Sequence, residues 1–240
     1  MADIIEWPSC LLRPSQVSPN LVPFSRSGGR SIGGVERSTR TDRGYWSIDY
    51  NGIVMQARHR DQWRAWNAIR THLGGKSGYI AVRVPSSLSA PYVSGSFEPR
   101  GSEPNDDNTP FDDETEWQQG AISVVADTLT PVGSTIIRLR IVSAAADLSG
   151  VRFSYNHAFY ETGAAIEIDG DIWTVPLSTT VRELIPAGAE LEFDAPTCLC
   201  RLADDRGMDI TQDAVAKGTR PNVSFIEATD YWNDLALGLI

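Results

Sequence analysis

Tyr45-Trp46-Ser47-Ile48-Asp49-Tyr50 opens a stretch that runs to Val84 and reads as strand, helix, strand. Large apolar and polar residues alternate up to Tyr50, Asn51-Gly52 is a turn dipeptide, and Ile53-Val54-Met55 resumes an apolar run, so the pattern predicts a hairpin. From Arg60 to Leu73 the residues Trp63, Trp66, Ile69 and Leu73 recur at spacings of three and four, which predicts one apolar stripe on an α-helix. Asp61 is expected at or near its N-cap, and Gly74-Gly75 supply a C-terminal stop. Tyr79-Ile80-Ala81-Val82-Arg83-Val84 then reads as a short strand that Pro85 ends. At about 25 cal/mol per Å² and roughly 200 Å² each, the two helical tryptophans are worth up to about 5 kcal/mol apiece when buried.

Outward from this unit, the 240 residues hold 41% hydrophobic residues, enough for one large or two small domains with a real core. The chain has no run of eighteen apolar residues, and Met1-Ala2-Asp3 starts without the basic and apolar regions of a signal peptide, so synthesis in the cytosol and no membrane contact are expected. Cys10, Cys198 and Cys200 are read as reduced thiols, with the Cys198-x-Cys200 pair expected on opposite faces of a strand. The net charge of −10 is uneven. Residues 1–100 sum to +6 and residues 101–240 to −16, a polarity that suits head-to-tail stacking.

Residues 1–24, with Trp7-Pro8, Pro14, Pro19 and Pro23, read as an extended arm. Between Ser25 and Gly44 lie Arg26, Arg30, Arg37, Arg40 and Arg43 among glycine pairs, predicting a basic loop or a pair of edge strands. The P-loop ending Gly-Lys-Ser/Thr is missing, and the acidic remainder would repel a phosphate backbone, so these arginines are candidates for a protein–protein interface rather than for nucleotide or nucleic acid. Seven acids between Glu103 and Glu116 lack calcium-loop spacing and read as a solvated linker. From Ala121 short strands and turns repeat, among them the hairpin Ile166–Trp173 with its Asp169-Gly170 turn, which implies a small barrel or sandwich. A short terminal helix is expected around Trp232 and Leu235.

Catalytic patterns are weak. His59 and His72 are too far apart for a shared metal site on one helix face, no Gly-x-Ser-x-Gly elbow exists, and Asp204-Asp205-x-Gly207-x-Asp209 reads as an ordinary turn. No catalytic residue, metal or cofactor is assigned. The expectation is a protein that is not an enzyme.

Three sets of residues carry a resemblance to a known family. One is Gly28-Gly29-x-x-x-Gly33 leading into Arg43-Gly44-Tyr45-Trp46, then Trp66 and Leu73-Gly74-Gly75. Another is Gly150-Val151-Arg152-Phe153-Ser154 with Tyr160, Trp173-x-Val175-x-Leu177, Arg182 and Pro186-Ala187-Gly188. The third is Phe193-Asp194-x-Pro196-Thr197-Cys198, Arg201-Leu202 and Phe225-Ile226-Glu227. In these the chain resembles the distal tail proteins of long-tailed bacteriophages and prophages, which form a ring at the end of the tail tube.

The resemblance implies a mainly β, α+β fold: a tail-tube-like β-barrel or sandwich with one prominent packed helix, plus a second small β-barrel. It places a ring-forming domain at 1–100 and 196–240, the acidic linker at 101–117 and an inserted small barrel or sandwich at 118–195. It also implies a virion location at the tail tip after assembly in the bacterial cytoplasm. The partners it implies are further copies of the chain in a ring, usually of six, the tube protein, hub or baseplate proteins and the tape-measure protein. A second reading is a carbohydrate-binding module stacking sugars on Tyr155, Tyr160 and Trp173, and a third is a hydrolase of cell-wall polymer.

Overall fold

In a computed structural model, which describes residues 4–30, 32–34, 36–98, 101–103, 117–119, 121–211 and 218–239, the stretch from Tyr45 to Val84 forms strand, helix and strand. The first part of the chain contributes β1 (Ile5–Glu6), β2 (Gln16–Arg30), β3 (Glu36–Asn51), β4 (Met55–Gln56), α1 (Arg60–Leu73) and β5 (Ile80–Arg83). The middle contributes β6 (Gly101–Glu103), β7 (Trp117–Gln119), β8 (Ser123–Ala126), β9 (Ile136–Ser143), β10 (Arg152–Tyr155), β11 (Ala158–Glu161), β12 (Glu167–Asp169) and β13 (Ile172–Pro176). The chain ends with β14 (Thr197–Leu202), β15 (Gly218–Thr219), β16 (Val223–Glu227) and α2 (Thr229–Ala236).

The fold is mainly β with two helices. A six-stranded sheet runs β1-β5-β14-β16-β3-β2, antiparallel throughout except for the β1–β5 pair. A four-stranded antiparallel sheet runs β12-β13-β9-β8, and β10–β11 is a separate hairpin. The expected barrels are not closed among the described residues. The first sheet stops at β1 and β2. The second sheet meets the hairpin through single bridges, Thr162↔Leu177 on one side and Val125↔Glu190 with Ser154↔Glu192 on the other, so no continuous ladder seals it.

Helix α1 lays Trp66, Ile69 and Leu73 into the core and leaves Trp63 half-buried, with its Nε1 donating to the Gln56 carbonyl at 3.1 Å. His59 is the N-cap, and Asp61 lies near it as expected, in the first turn, where a carboxylate meets the positive end of the helix dipole. Gly74 stops the helix at φ 52, the left-handed conformation that glycine adopts without a Cβ clash, and its N–H donates to the Arg70 carbonyl.

The hairpin predicted at Asn51-Gly52 is corrected by the pairing. Gly52 does turn, at φ 63, but β3 is already flanked by β2 and β16, so the residues after the turn find other partners: β4 pairs with β15, and the Ile53 N–H donates to the Pro221 carbonyl. The cysteine reading is corrected as well. Residues i and i+2 of a strand share a face, and Cys198 and Cys200 both point from β14 into the first core. Burial pushes the Cys198 thiol well above its ordinary pKa, which leaves it unreactive.

Two cores meet across the β10–β11 hairpin, whose two faces are both covered. Phe153 and Tyr160 belong to the core under the second sheet, whereas Phe159 turns to the first core and packs edge-on against Trp46 at 4.8 Å. The two ends of the acidic stretch pair as β6 and β7, with Gly101 opposite Gln119 and Glu103 opposite Trp117. The acids from Asp106 to Glu116 lie outside the described residues.

Candidate functional site

Two features offer themselves for recognition, at opposite ends of the first sheet. One is an arm. Along β3, residues Ser47 to Tyr50 pair with β16 on one side and β2 on the other. Among the described residues, the ladder from Phe24↔Thr41 to Arg30↔Glu36 has only its own two strands. Seven residues at about 3.3 Å each carry this ribbon roughly 20 Å past the sheet. A bulge between Val22 and Phe24 marks where it leaves, and bulges bend a strand and increase its twist. Arg26 and Arg30 fall on β2, and Arg37, Arg40 and Arg43 on β3, so the pair-of-edge-strands reading of this segment describes the backbone. Their side chains lie outside the described residues.

The other feature is a cleft of about 870 Å³ at the β1–β5 edge, walled by the turn after β1, the tip of the β10–β11 hairpin and the segment from Glu190 to Thr197. That segment alternates: Leu191 and Phe193 are buried in the second core, which turns Glu190, Glu192 and Asp194 towards the cleft. Glu192 Oε1 accepts the backbone N–H groups of Asp194 and Ala195 at 2.9 and 2.7 Å, and Asp194 Oδ1 accepts the Tyr92 hydroxyl. Glu6 from β1 and Glu190 are exposed and make no ion pair or side-chain hydrogen bond among the described residues. Against these four carboxylates the described lining sets one guanidinium, that of Arg83. Such a site repels phosphate and attracts cations.

Asn156 and His157 form the hairpin tip with φ of 46 and 68, the two positive values that a two-residue turn of this type needs. His157 Nδ1 lies 2.8 Å from Thr197 Oγ1, and burial lowers the imidazole pKa while the nearby Glu6 charge opposes the shift. A histidine with a depressed folded-state pKa stabilises fully above its unfolded value of about 6.5 and loses that contribution as pH falls through the folded value. The wild type is therefore expected to lose part of its stability on acidification below about pH 6.5 that His157→Asn retains, asparagine tolerating the same backbone. Paired urea titrations at pH 7.5 and 5.5 check this, and equal losses in both proteins would exclude His157 as the cause.

Among the described residues no group of three or more His, Cys, Asp or Glu is placed to hold a metal ion. The Asp204–Asp209 turn is tied by its own contacts: Asp205 Oδ1 accepts the Lys76 N–H, and Arg206 pairs with Asp209. Of the candidate sugar-stacking aromatics, Tyr160 is 0% and Trp173 8% exposed, so neither ring offers a face to a ligand, and Tyr155 alone reaches the cleft. The helix anchor, the arginine arm and these aromatics are not brought together into one site. No protein-family model matches the chain, and no curated protein matches it.

Sequence reading missed the cleft. Leu191 and Phe193 were readable as an inward-facing pair with carboxylates between and beside them, but the arrival of Glu6 beside them depends on β1 pairing with β5.

Proposed function

We propose that this chain is a bacteriophage virion structural protein that forms a ring at the distal end of the tail and joins the tail tube to the tip hub and host-recognition apparatus. The observation that carries the reading is the pair of unlike edges on the six-stranded sheet, each without a further strand among the described residues: a long β2 with its projecting arm at one end, a two-residue β1 beside β5 at the other. Exposed edges invite strand addition, and a sheet with different ends is suited to head-to-tail contact, which closes into a ring when the rotation between copies closes. Burial of Tyr160 and Trp173 weighs against the carbohydrate-binding alternative. In the ring reading no bond is made or broken, and the protein's work is to hold neighbours in register.

The purified chain is expected to run as a closed multimer in light scattering and negative-stain microscopy, with association weakening from about 0.05 to 0.5 M salt as charge contacts are screened. A protein that stays monomeric at roughly 100 µM in low salt overturns the reading, since its self-association is then weaker than about −5.5 kcal/mol.

A further inference from the structure

We propose that the β2–β3 arm of one copy seats in the acidic cleft of the next, an inference that rests on the ring reading and names its contact. Four observations converge on it. Residues 25–44 carry five arginines against Glu36 and Asp42, a formal charge of +3. The described lining of the cleft carries four carboxylates, those of Glu6, Glu190, Glu192 and Asp194, and one guanidinium, that of Arg83. The two lie on the opposite edge strands of one sheet, the arm at β2–β3 and the cleft at β1–β5. Finally, each carries apolar surface that water covers poorly: Ile32 at the arm's tip is fully exposed, and Phe97, which lines the cleft, is 62% exposed.

The geometry explains why the occupant is a second copy. Within one chain β1 and β2 are the two end strands and do not pair with each other among the described residues, whereas stacking β2 of one copy beside β1 of the next brings the two edges together. Opposite charges then meet in every repeat of a heterologous contact, and neither partner surface is left over except at an open end. The roughly 20 Å of ribbon beyond the sheet gives the arm the reach to bring its tip to a neighbouring copy. Glu6 and Glu190 are the expected arginine acceptors, because Glu192 and Asp194 already accept hydrogen bonds within the chain.

Glu6→Lys with Glu190→Lys is expected to weaken self-association about ten-fold or more, and adding Arg37→Glu with Arg40→Glu in the same chain is expected to restore it. All four positions are tested beside a melting curve, so that a misfolded variant is recognised and replaced by Glu6→Gln with Glu190→Gln. As a second readout, Cys10 is exposed on the cleft wall, and a Gly33→Cys chain is expected to form an intermolecular disulfide under mild oxidation that Cys10→Ser abolishes. A wild type that assembles while the cleft-reversed variant assembles equally well, with no cross-link, overturns this proposal and leaves the ring reading standing. A wild type that never assembles overturns both.

Discussion

Arg182→Met is expected to cost about 3–5 kcal/mol of folding stability, as breaking one side of a buried ion pair does. Arg182 comes from the second part of the fold and reaches into the first sheet. Its Nε donates to Glu227 Oε1 at 2.7 Å, and its Nη2 donates to Glu227 Oε2 at 3.2 Å and to the Gly44 carbonyl at 2.7 Å. Glu227 Oε2 in turn accepts the Trp46 N–H at 3.0 Å, and the two side chains are only 12% and 1% exposed. Without the guanidinium, a carboxylate on β16 is left buried with a single donor. Chemical denaturation is expected to show the loss, and the double variant Arg182→Met, Glu227→Met is expected to recover most of it, less the about 1–3 kcal/mol of an orphaned Trp46 N–H. The single variant also carries a pH signature. A buried carboxylate without its counter-charge is costly only while ionised, so the deficit is expected to be largest at neutral pH and to shrink as pH falls towards the carboxylate range. A single variant within about 1 kcal/mol of wild type at pH 7 would mean that water or a shifted side chain takes over the role of Arg182.

The clamp also bears on the proposed assembly. Gly44 lies in the irregular stretch of β3 between Thr41 and Tyr45, where the arm departs, and a Cβ there would come within 3.1 Å of the Val22 carbonyl. Arg182 therefore ties down the base of the ribbon while leaving its tip to project. The buried network fixes where the arm points, and the arm's own two strands supply its reach. Loosening the clamp is expected to misdirect the arm even under conditions in which the chain still folds.

Local signals in the sequence specified turns and periods well, and pairings poorly. Trp66, Ile69 and Leu73 fall on the buried side of α1 because a 3.6-residue period is a property of the helix itself. The β12–β13 hairpin formed around Gly170 because nothing competes for those strands across a short turn. Asn51-Gly52 carries equally good turn chemistry, yet β16, from near the end of the chain, takes the place beside β3 that the hairpin partner would have needed. Alternation also failed to separate core from surface at Tyr160, because the β10–β11 hairpin is buried on both faces and has no outward side for an aromatic residue to occupy. The charge asymmetry was legible as a sum. Its placement was not, since whether the basic arm and the acidic cleft share an edge or face away from each other is decided by strand order alone.

Trp66→Ala is expected to be about as damaging as the loss of Arg182, at about 3–5 kcal/mol, while Trp63→Ala on the same helical stripe costs nearer 1 kcal/mol. The indole of Trp66 is 0% exposed, donates from Nε1 to the Met208 carbonyl at 3.1 Å and meets Trp7 edge-on at 6.3 Å. Trp7 continues the contact to Tyr50 at 5.5 Å and Phe225 at 5.6 Å, so this one side chain joins α1 to strands β3 and β16 through a chain of T-shaped rings. Truncation leaves a cavity among rigid aromatics that cannot easily collapse, and it also orphans the Met208 carbonyl. Trp63 keeps one edge in solvent, so its removal opens no enclosed void. Urea unfolding of the two variants separates these cases. Equal losses would mean that the helical stripe is uniformly anchored, and that position along the period, rather than depth in the packed core, sets what each tryptophan contributes.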